Sequence, residues 1–412
     1  MSAHGKFDTT FLCLLAIGVP IVAPSTIASA QETGVDGYYS QDGINLGGFT
    51  LFGQAEAGAG IDDNIYALQA NEIDDTLFVF APELRLASNW SRHGLVLEIK
   101  NRNVVYSEQS GEDHSDWIAS ANGSLDASRA TTLMGRAVYS MLSEGRGESE
   151  INNLAAETTE YDRLELGAEI RHALNRLSVS LGGDFSTYDY DDVAAIGGGT
   201  NDNDFRDRTE ISGNVEASLG ISPTTRVFAR ISANQREYDQ QPPAVAANRD
   251  STGHEIVGGL QFEVTELITG EVFGGYHEQI YDALGDVDGY DFGASLEWSV
   301  TPLTTINASL SRDIKESNRL GASGNLQTNT TIELHHELTR ALMLSADAAY
   351  INNDFVGSGR EDTAWAFGVA AEYKLGRSLS ILGNYRYRSR ESNVLGQDYD
   401  RGRAGVSLIG RF

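Results

Sequence analysis

The residues best placed to do chemistry are charged side chains that recur with an even spacing. One set of three lies near the C-terminus, at Arg386, Arg388 and Arg390. A second set lies earlier in the chain, at Arg226, Arg230 and Arg236. Alternate residues share one face of a β-strand, so each set would form a ladder of like charge. Facing ladders of opposite sign can select solutes by charge, whereas ladders that pair only hold a wall together, and the sequence leaves both interpretations open.

The candidate residues for the wall of a pore carry both signs of charge. The acidic candidates are Glu98, Glu165, Glu169, Glu210, Glu255, Glu263 and Glu297. The basic candidates are Lys100, Arg102, Arg163, Arg171, Arg208, Arg226, Arg230, Arg236, Arg386, Arg388, Arg390, Arg403 and Arg411. Apolar residues fill the alternate positions of the same segments, as Ile211, Val215 and Leu219 do. A basic residue that faces lipid near the midplane costs about 2–4 kcal/mol, so the charged face must line an aqueous lumen.

Three residues break this alternation, because Arg312, Glu278 and His336 fall on the apolar face. Each of them would place a polar side chain against lipid. A β-bulge or a nearby membrane interface would explain these positions, and so would an error in the predicted register.

No group of residues has the spacing of a catalytic site. His335 and His336 are adjacent, so in a strand they point to opposite faces and cannot bind one metal together. Three further histidines have no evident acid or nucleophile to pair with, namely His172, His254 and His277. Residues 62–64 and 189–192 offer oxygen ligands for Ca²⁺, although solvated acidic loops explain them more simply. The sequence therefore predicts a protein that is not an enzyme and that holds no metal or cofactor.

The N-terminus predicts export. Lys6 precedes an apolar run over residues 11–22, and Ala28-Ser29-Ala30 supplies a small-residue cleavage site. A transmembrane anchor fits less well, because the run is short and contains Gly18 and Pro20. Residues 1–30 are thus predicted to be a signal peptide, and the only cysteine, Cys13, lies within it.

The composition is typical of a membrane barrel. The net charge of −29 argues against nucleic acid as a partner, and 44 Gly and 17 Tyr accompany only 7 Pro. No apolar run after the signal is long enough for a helical span, which fits strands that have one wet face.

After a polar lead over residues 31–47, segments with an alternation of two fill residues 48–412. They are 48–59, 74–88, 92–106, 115–127, 130–143, 159–173, 176–190, 206–219, 223–239, 252–266, 268–281, 289–301, 303–315, 327–339, 341–354, 361–374, 376–390 and 400–412. The last segment alternates up to the terminal Phe412 and would pair with the first. The sequence therefore predicts an all-β, up-and-down antiparallel transmembrane barrel of about 18 strands.

The connections between these segments alternate strictly between long and short. The long ones are rich in Asp, Asn, Gly and Ser, and none is much longer than about 15 residues. This pattern predicts longer extracellular loops, with short turns and both termini at the periplasmic side. A soluble sandwich would have irregular connections, and a solenoid would have a fixed repeat.

Aromatic residues concentrate where strands meet the long loops. They are Tyr106, Trp117, Tyr139, Tyr188, Tyr238, Tyr281, Tyr290, Tyr350, Phe355 and Trp365. We expect them to form a girdle in the outer leaflet, although ordinary strand propensity is an alternative explanation.

Short motifs give the chain a family resemblance. Asp62-Asp63-Asn64-Ile65, Asp74-Asp75, Pro82-Glu83-Leu84-Arg85-Leu86 and the terminal phenylalanine resemble the putative beta-barrel porin family of bacterial outer membranes. The resemblance covers about residues 48–412 and implies an outer-membrane barrel without a catalytic motif. Some members of that family are associated with exopolysaccharide export.

We therefore expect an outer-membrane channel that passes hydrophilic material. Passage of an exopolysaccharide is favoured over a general diffusion porin, because no connection is long enough to suggest a constriction loop inside the lumen. A closed structural or adhesive barrel is the third hypothesis, and a plug formed by residues 31–47 stays open. The expected partners are outer-membrane lipid and lipopolysaccharide, the barrel assembly machinery and periplasmic polysaccharide export components, but not nucleic acid.

Overall fold

The computed structural model describes residues 43–150, 155–241, 247–319 and 321–412. The predicted signal peptide and most of the polar lead lie outside the described residues. Eighteen long strands dominate the chain. They are β1 Phe49–Asp62, β2 Asp75–Ser88, β3 His93–Tyr106, β4 His114–Asp126, β5 Thr131–Ser143, β6 Glu160–Leu174, β7 Leu177–Tyr190, β8 Arg208–Ser222, β9 Thr225–Tyr238, β10 Ser251–Val264, β11 Ile268–Tyr281, β12 Val287–Thr301, β13 Thr304–Glu316, β14 Gly324–Thr339, β15 Leu342–Val356, β16 Arg360–Lys374, β17 Leu379–Ser392 and β18 Tyr399–Arg411.

The strands form one closed antiparallel barrel. Each strand pairs with its neighbours in the sequence, and β18 pairs with β1 from Gln54 opposite Arg411 to Asp62 opposite Arg403. The predicted fold class, the strand number and the pairing of the last strand with the first are confirmed. Because the first and last strands pair with each other, every strand has a neighbour on both sides.

The alternation of apolar and polar residues fixes which face of each strand turns outward. In β8, Ile211, Val215 and Leu219 are about half exposed on the outer surface, whereas Arg208 and Glu210 have the opposite register. Arg312, Glu278 and His336 share the outward register of their strands, so they are genuine outward-facing residues and no error of register is involved.

Long and short connections alternate as the sequence predicts, with one exception: the connection 357–359 between β15 and β16 is shorter than the turn 375–378 that follows it. The short turns use few residues, and Asn175 takes a positive φ of 61° in the turn between β6 and β7. The only helical turns in the described parts of the chain are the short 3₁₀ turns Ser110–Glu112 and Asp204–Arg206. No helix in these parts is long and apolar enough to cross a membrane.

The predicted aromatic girdle divides into two groups. Trp117, Tyr139, Tyr290, Tyr350 and Trp365 occupy outward register positions, as expected. The other five face the lumen, so the prediction was wrong for Tyr106, Tyr188, Tyr238, Tyr281 and Phe355. The second group shares the register of the charged residues, which explains its direction.

Tyrosine–aspartate pairs lie on the outer surface near the extracellular ends of the strands. The hydroxyl of Tyr139 donates to Asp162 at 2.7 Å, and that of Tyr276 donates to Asp288 at 2.7 Å. Tyr387 and Asp400 form a third pair at 2.6 Å. Each tyrosine thus has its ring on the barrel surface and its hydroxyl directed to the extracellular end, as expected at a membrane interface.

The wall changes where β12 meets β13. These strands pair from the periplasmic turn only up to Gly293 opposite Ser311. Above that point, β12 still pairs with β11, and β13 still pairs with β14 up to Glu316 opposite Gly324. The tip of the β13–β14 hairpin, residues 312–326, therefore separates from β12.

The hairpin tip bends into the barrel. Ile314 and Leu326 pack with Tyr281 and Val287, which lie on the inner faces of β11 and β12. Leu326 also lies directly over Gly289, at 3.7 Å from the position of an added Cβ. The tip thus overlaps the inner surface of the neighbouring hairpin. Above Gly293, β12 and β13 meet through this overlap and not through strand pairing, and we call this contact the lap joint.

Candidate functional site

All of the predicted charged residues occupy inward register positions. This follows from the strand pairings, for example Glu210 opposite Arg236 and Gln261 opposite Arg226. The same holds for Glu98, Lys100, Arg102, Arg163, Glu165, Glu169, Arg171, Arg208, Arg230, Glu255, Glu263, Glu297, Arg386, Arg388, Arg390, Arg403 and Arg411. That they line a conducting pore stays a prediction.

Most of these charges are paired with a neighbour on the wall. Arg163 contacts Glu165 at 2.5 Å, and Arg171 contacts Glu169 at 2.8 Å. Further pairs are Arg208–Glu210 at 2.7 Å, Arg230–Glu216 at 2.8 Å, Lys100–Glu98 at 3.2 Å, Arg386–Asp347 at 3.2 Å, and Arg411–Glu372. Much of the ladder therefore stabilises the wall. Arg102, Arg226 and Arg388 form no ion pair with any described residue, which leaves them able to meet a solute.

The connection between β5 and β6 crosses the lumen. Arg390 on β17 donates to the carbonyl oxygens of Gly147 at 3.1 Å and Glu148 at 3.2 Å. Tyr399 on β18 donates to the same Gly147 carbonyl at 2.9 Å. Because Arg390 and Tyr399 face inward and lie just inside the ends of their strands, the loop lies within the mouth of the barrel. We call residues 144–150 the crossing loop.

The crossing loop reaches the wall opposite its origin. The Ser149 carbonyl accepts a hydrogen bond from Arg319 Nε at 2.9 Å, and Asn353 Nδ2 on β15 donates to Ser149 Oγ at 3.3 Å. Glu150 accepts from the Asn318 backbone at 2.9 Å. The partners lie on β15 and on the β13–β14 connection, about half the 18-strand circumference away from β5. The expectation that loops of this length leave the lumen clear was therefore wrong.

Two arginine pairs hold the near side of the crossing loop. Glu144 forms a buried ion pair with Arg206, whose guanidinium carbon lies 3.9 Å from the ring centroid of Tyr190. Arg146 contacts Glu112 at 2.6 Å. These contacts fix the direction in which the loop leaves β5.

The hairpin tip enters the lumen from the other side and is anchored by Glu316. This carboxylate accepts from Arg236 at 2.5 Å, from Tyr238 at 2.5 Å and from Tyr281 at 3.1 Å. Those partners lie on the inner faces of β9 and β11, so the end of β13 lies well inside the circle of strands. The tip and the crossing loop therefore both lie within the extracellular mouth.

The Asp62-Asp63-Asn64 motif joins the first strand to the last. Asp62 is fully buried and contacts Arg401 at 2.6 Å and Arg403 at 2.6 Å. Asp63 accepts from the backbone of Gly402 at 2.6 Å, and Asn64 Nδ2 donates to the Asp400 carbonyl at 2.8 Å. The Asp62 carboxylate is occupied by arginines, so it is not available as a Ca²⁺ ligand, and the motif closes the barrel.

A model of the protein family described as Putative beta-barrel porin 2 matches residues 36–412. The chain belongs to this family. No protein among the curated sequences matches it. The family and the closed 18-strand barrel place this porin in the bacterial outer membrane.

Several solved structures are similar to this porin at low sequence identity. OpdO of Pseudomonas aeruginosa is 13% identical with a TM-score of 0.45, over 88% of this chain and 97% of that chain. OpdK of Pseudomonas aeruginosa is 12% identical with a TM-score of 0.41, over 88% and 99% of the two chains. The siderophore receptor PiuA of Acinetobacter baumannii is 10% identical with a TM-score of 0.46, over 89% and 82%.

Burial makes the carboxyl groups of the crossing loop in this porin harder to ionise. It raises the pKa of Glu148 to about 7, although Arg388 opposes the shift. Burial also raises the pKa of Glu150 above its usual range. On the opposite wall, burial and the neighbouring Arg360 lower the pKa of Arg319 to about 10. Near neutral pH, Glu148 therefore exists in both protonation states.

The predicted histidines of the porin lie apart. His172 contacts Thr131 at 2.9 Å at the periplasmic end, His254 faces outward opposite Glu278, and His277 faces the lumen. That the protein is not an enzyme stays a prediction. Asp192, Asp202 and Asp204 bring carboxylate oxygens within 4.8 Å of one another on a largely exposed loop, but Asp192 already accepts from Asn203.

Proposed function

We propose that this porin is a constricted channel for small hydrophilic solutes, and that the crossing loop controls the width of its extracellular mouth. The observation that carries the proposal is the contact of Ser149 with the opposite wall. A segment fixed at both sides of the lumen divides the mouth, so a solute must pass beside it. Extended polymers would need the loop to move, whereas small solutes would not.

The charges on the two sides of the lumen suit anionic solutes. Five inward-facing arginines lie together on β17 and β18, at Arg386, Arg388, Arg390, Arg401 and Arg403. The wall from β10 to β13 is acidic instead and carries Glu255, Asp291, Glu297 and Asp313. Arg388 has no ion-pair partner among the described residues, so it supports contact with a passing carboxylate or phosphate. Opposed charges of this kind set a field across a lumen and select solutes by charge.

A reversible disulfide tests this function. Apart from Cys13 in the predicted signal peptide, the chain has no cysteine, so Ser149→Cys with Asn353→Cys would give one defined pair. Planar-bilayer recordings should show a small, anion-selective current in the oxidised protein and a larger current after reduction. A matched control is Ser309→Cys with Thr331→Cys, a facing pair on the wall. Its reduction should leave the current unchanged.

The Arg388→Ala variant tests the ion selectivity of the channel separately from the width of its extracellular mouth. Recorded at about pH 5, where Glu148 is protonated with or without Arg388, the variant should lose anion preference while keeping a similar conductance, because only the charge of the wall changes. No current from the reduced or the oxidised protein would contradict a channel and would favour a closed structural barrel. Equal currents in both redox states would show that the crossing loop does not limit passage.

Passage of an exopolysaccharide is a second proposal, and the chemistry of the loop contacts favours it. The contacts from Arg390, Tyr399 and Arg401 end on backbone carbonyl oxygens of the crossing loop. Water can replace such contacts, so the loop can leave the lumen without exposing an apolar core. Cells that carry the oxidised Ser149–Asn353 cysteine pair should then stop secreting polysaccharide while small-solute uptake continues. Periplasmic export components and the assembly machinery remain predicted partners.

A further inference from the structure

One arginine lies at the outer edge of the gap between β12 and β13, where its guanidinium is beside the outward-facing ring of Phe292. Among the Lys and Arg residues in the described strands, Arg312 alone has the outward register, which it shares with Ile306, Ala308 and Leu310. It was one of the exceptions to the sequence alternation, and the regular pairing of Arg312 with Thr328 excludes a local bulge. An unpaired arginine on this surface is unfavourable unless a negative group meets it.

Arg312 lies at the point where the wall loses its pairing. The last pair of β12 and β13 joins Gly293 to Ser311, so Arg312 is level with Phe292 at the start of the lap joint. Its guanidinium carbon lies 5.7 Å from the centroid of the Phe292 ring. Its Nε atom is buried without a hydrogen-bond partner, and the guanidinium makes no ion pair with a described residue. The side chain is therefore positioned but not neutralised.

The depth of Arg312 corresponds to the membrane interface. Tyr290, two residues above Phe292 on β12, is 78% exposed and lies opposite Tyr276 of the tyrosine–aspartate pair. Two residues correspond to about 7 Å along a strand, which places Arg312 just below the tyrosine band. Lipid head groups and the first part of their acyl chains meet the barrel at this level.

Neutral hydrogen-bonding side chains continue the site along the outer surface. Thr328 faces Arg312 on β14, Asn352 faces Thr328 on β15, and Thr363 faces Asn352 on β16. Asn352 Nδ2 donates to Thr363 at 3.3 Å and to Glu361 at 3.2 Å, so the far end of the row is hydrogen-bonded and borders a carboxylate. Hydroxyls and an amide beside one guanidinium suit the oxygens of a phosphate group.

The remaining outward-facing charges in this band have the opposite sign. Asp162, Asp288 and Asp400 each accept a tyrosine hydroxyl there, and Asp354 and Glu361 lie near the end of the row. At the level of the tyrosine–aspartate pairs, the acidic residues of the outer surface therefore repel phosphate groups, whereas Arg312 attracts one. We propose that Arg312, Thr328 and the β12–β13 joint bind the phosphate head group of an outer-leaflet lipid. This inference requires the membrane location but not conduction.

Lipid binding by the whole, detergent-purified protein tests the proposal. Native mass spectrometry would compare a diphosphorylated lipid A with its dephosphorylated counterpart of identical acyl chains. The wild type should retain the phosphorylated lipid, and Arg312→Gln should bind it about tenfold more weakly. Arg312→Lys should recover part of the affinity because it keeps the charge. Arg340→Gln, at an exposed periplasmic turn, is the matched control and should behave as the wild type.

Three outcomes would overturn the proposal. Equal retention of the phosphorylated lipid by the wild type and by Arg312→Gln would mean that Arg312 does not hold the head group. Equal retention of phosphorylated and dephosphorylated lipids would mean that only the acyl chains bind. Full displacement of the lipid by an equal concentration of inorganic phosphate would identify a site for the free ion instead. Heat-dependent mobility of each variant in gels shows whether the barrel has folded.

Discussion

Two segments enter the lumen, and different forces hold them there. The crossing loop is held on its far side by hydrogen bonds to its own backbone, from Arg390, Tyr399 and Arg319. The hairpin tip is held by a buried ion pair and by apolar packing of Ile314 and Leu326. A hydrogen bond to a backbone carbonyl can be replaced by one to water when the loop leaves, whereas a carboxylate removed from its arginine and separated apolar contacts gain no such replacement. The comparison indicates that the loop is the movable element and the tip is part of the wall.

The largest expected effect is the loss of the anchor of the hairpin tip. Glu316→Ala would leave Arg236 without its partner in a setting where both side chains are largely buried. Breaking a buried pair in this way costs about 3–5 kcal/mol, so the urea midpoint of unfolding should fall clearly. The matched variant in the loop, Glu150→Ala, removes a carboxyl whose pKa is already raised by burial, and it should cost about 1 kcal/mol or less.

Unfolding of both variants in detergent micelles would check this difference. Similar losses for Glu316→Ala and Glu150→Ala would break the distinction between the two segments. A large loss for Glu150→Ala alone would reverse it, and the crossing loop would then be the structural element.

An intermediate effect concerns the pH dependence of the crossing loop. The pKa of Glu148 rises from 4.5 to about 7 when the loop is seated, chiefly because the side chain is buried. The seated loop thus binds a proton more tightly than a released, solvated loop does. This contribution to seating is fully present below pH 4.5 and is lost as the pH rises to about 7. Single-channel recordings should therefore show a wider or more frequently open pore at about pH 8 than at about pH 5.

Glu148→Gln removes the titrating group and should give a conductance that varies little over the same range. Glu297→Gln is a suitable control, because Glu297 faces the lumen on β12 away from the loop. A conductance that falls as the pH rises would contradict the assigned direction. An unchanged pH response in Glu148→Gln would assign the effect to another group.

The barrel itself was accessible from the sequence because its signal is local. Alternation within single strands, such as Ile211, Val215 and Leu219 in β8, gives both the strand and its outward face. The direction of the aromatic residues was also available, since Tyr238 shares the even spacing of Arg230 and Arg236. Position near a loop does not determine which way an aromatic side chain points, whereas the register of the strand does.

The contacts inside the lumen could not be predicted from the alternation within single strands. Arg390 binds the carbonyl oxygens of Gly147 and Glu148. Every residue has a backbone carbonyl, so such an acceptor cannot be recognised from the residue type. Asp62 and Arg401 are far apart in the chain, so their pairing appears only once the barrel closes. The length of a loop gave a misleading estimate of its reach, because a short span of extended chain already covers a wide distance.

The smallest expected effect tests how closely the hairpin tip fits the wall. An added Cβ at Gly289 would lie 3.6 Å from His277 Nε2 and 3.7 Å from Leu326 Cδ2, which are ordinary contacts. Gly289→Ala should therefore change the free energy of unfolding by no more than about 0.5 kcal/mol. Gly275→Ala is the contrasting variant, because its Cβ would lie 1.9 Å from the Ile256 carbonyl oxygen and the backbone would have to shift. If Gly289→Ala destabilised the barrel as much as Gly275→Ala, close backbone fit would hold the tip. A neutral result would leave Glu316 and the apolar contacts of Ile314 and Leu326 as the forces that keep the tip inside the lumen.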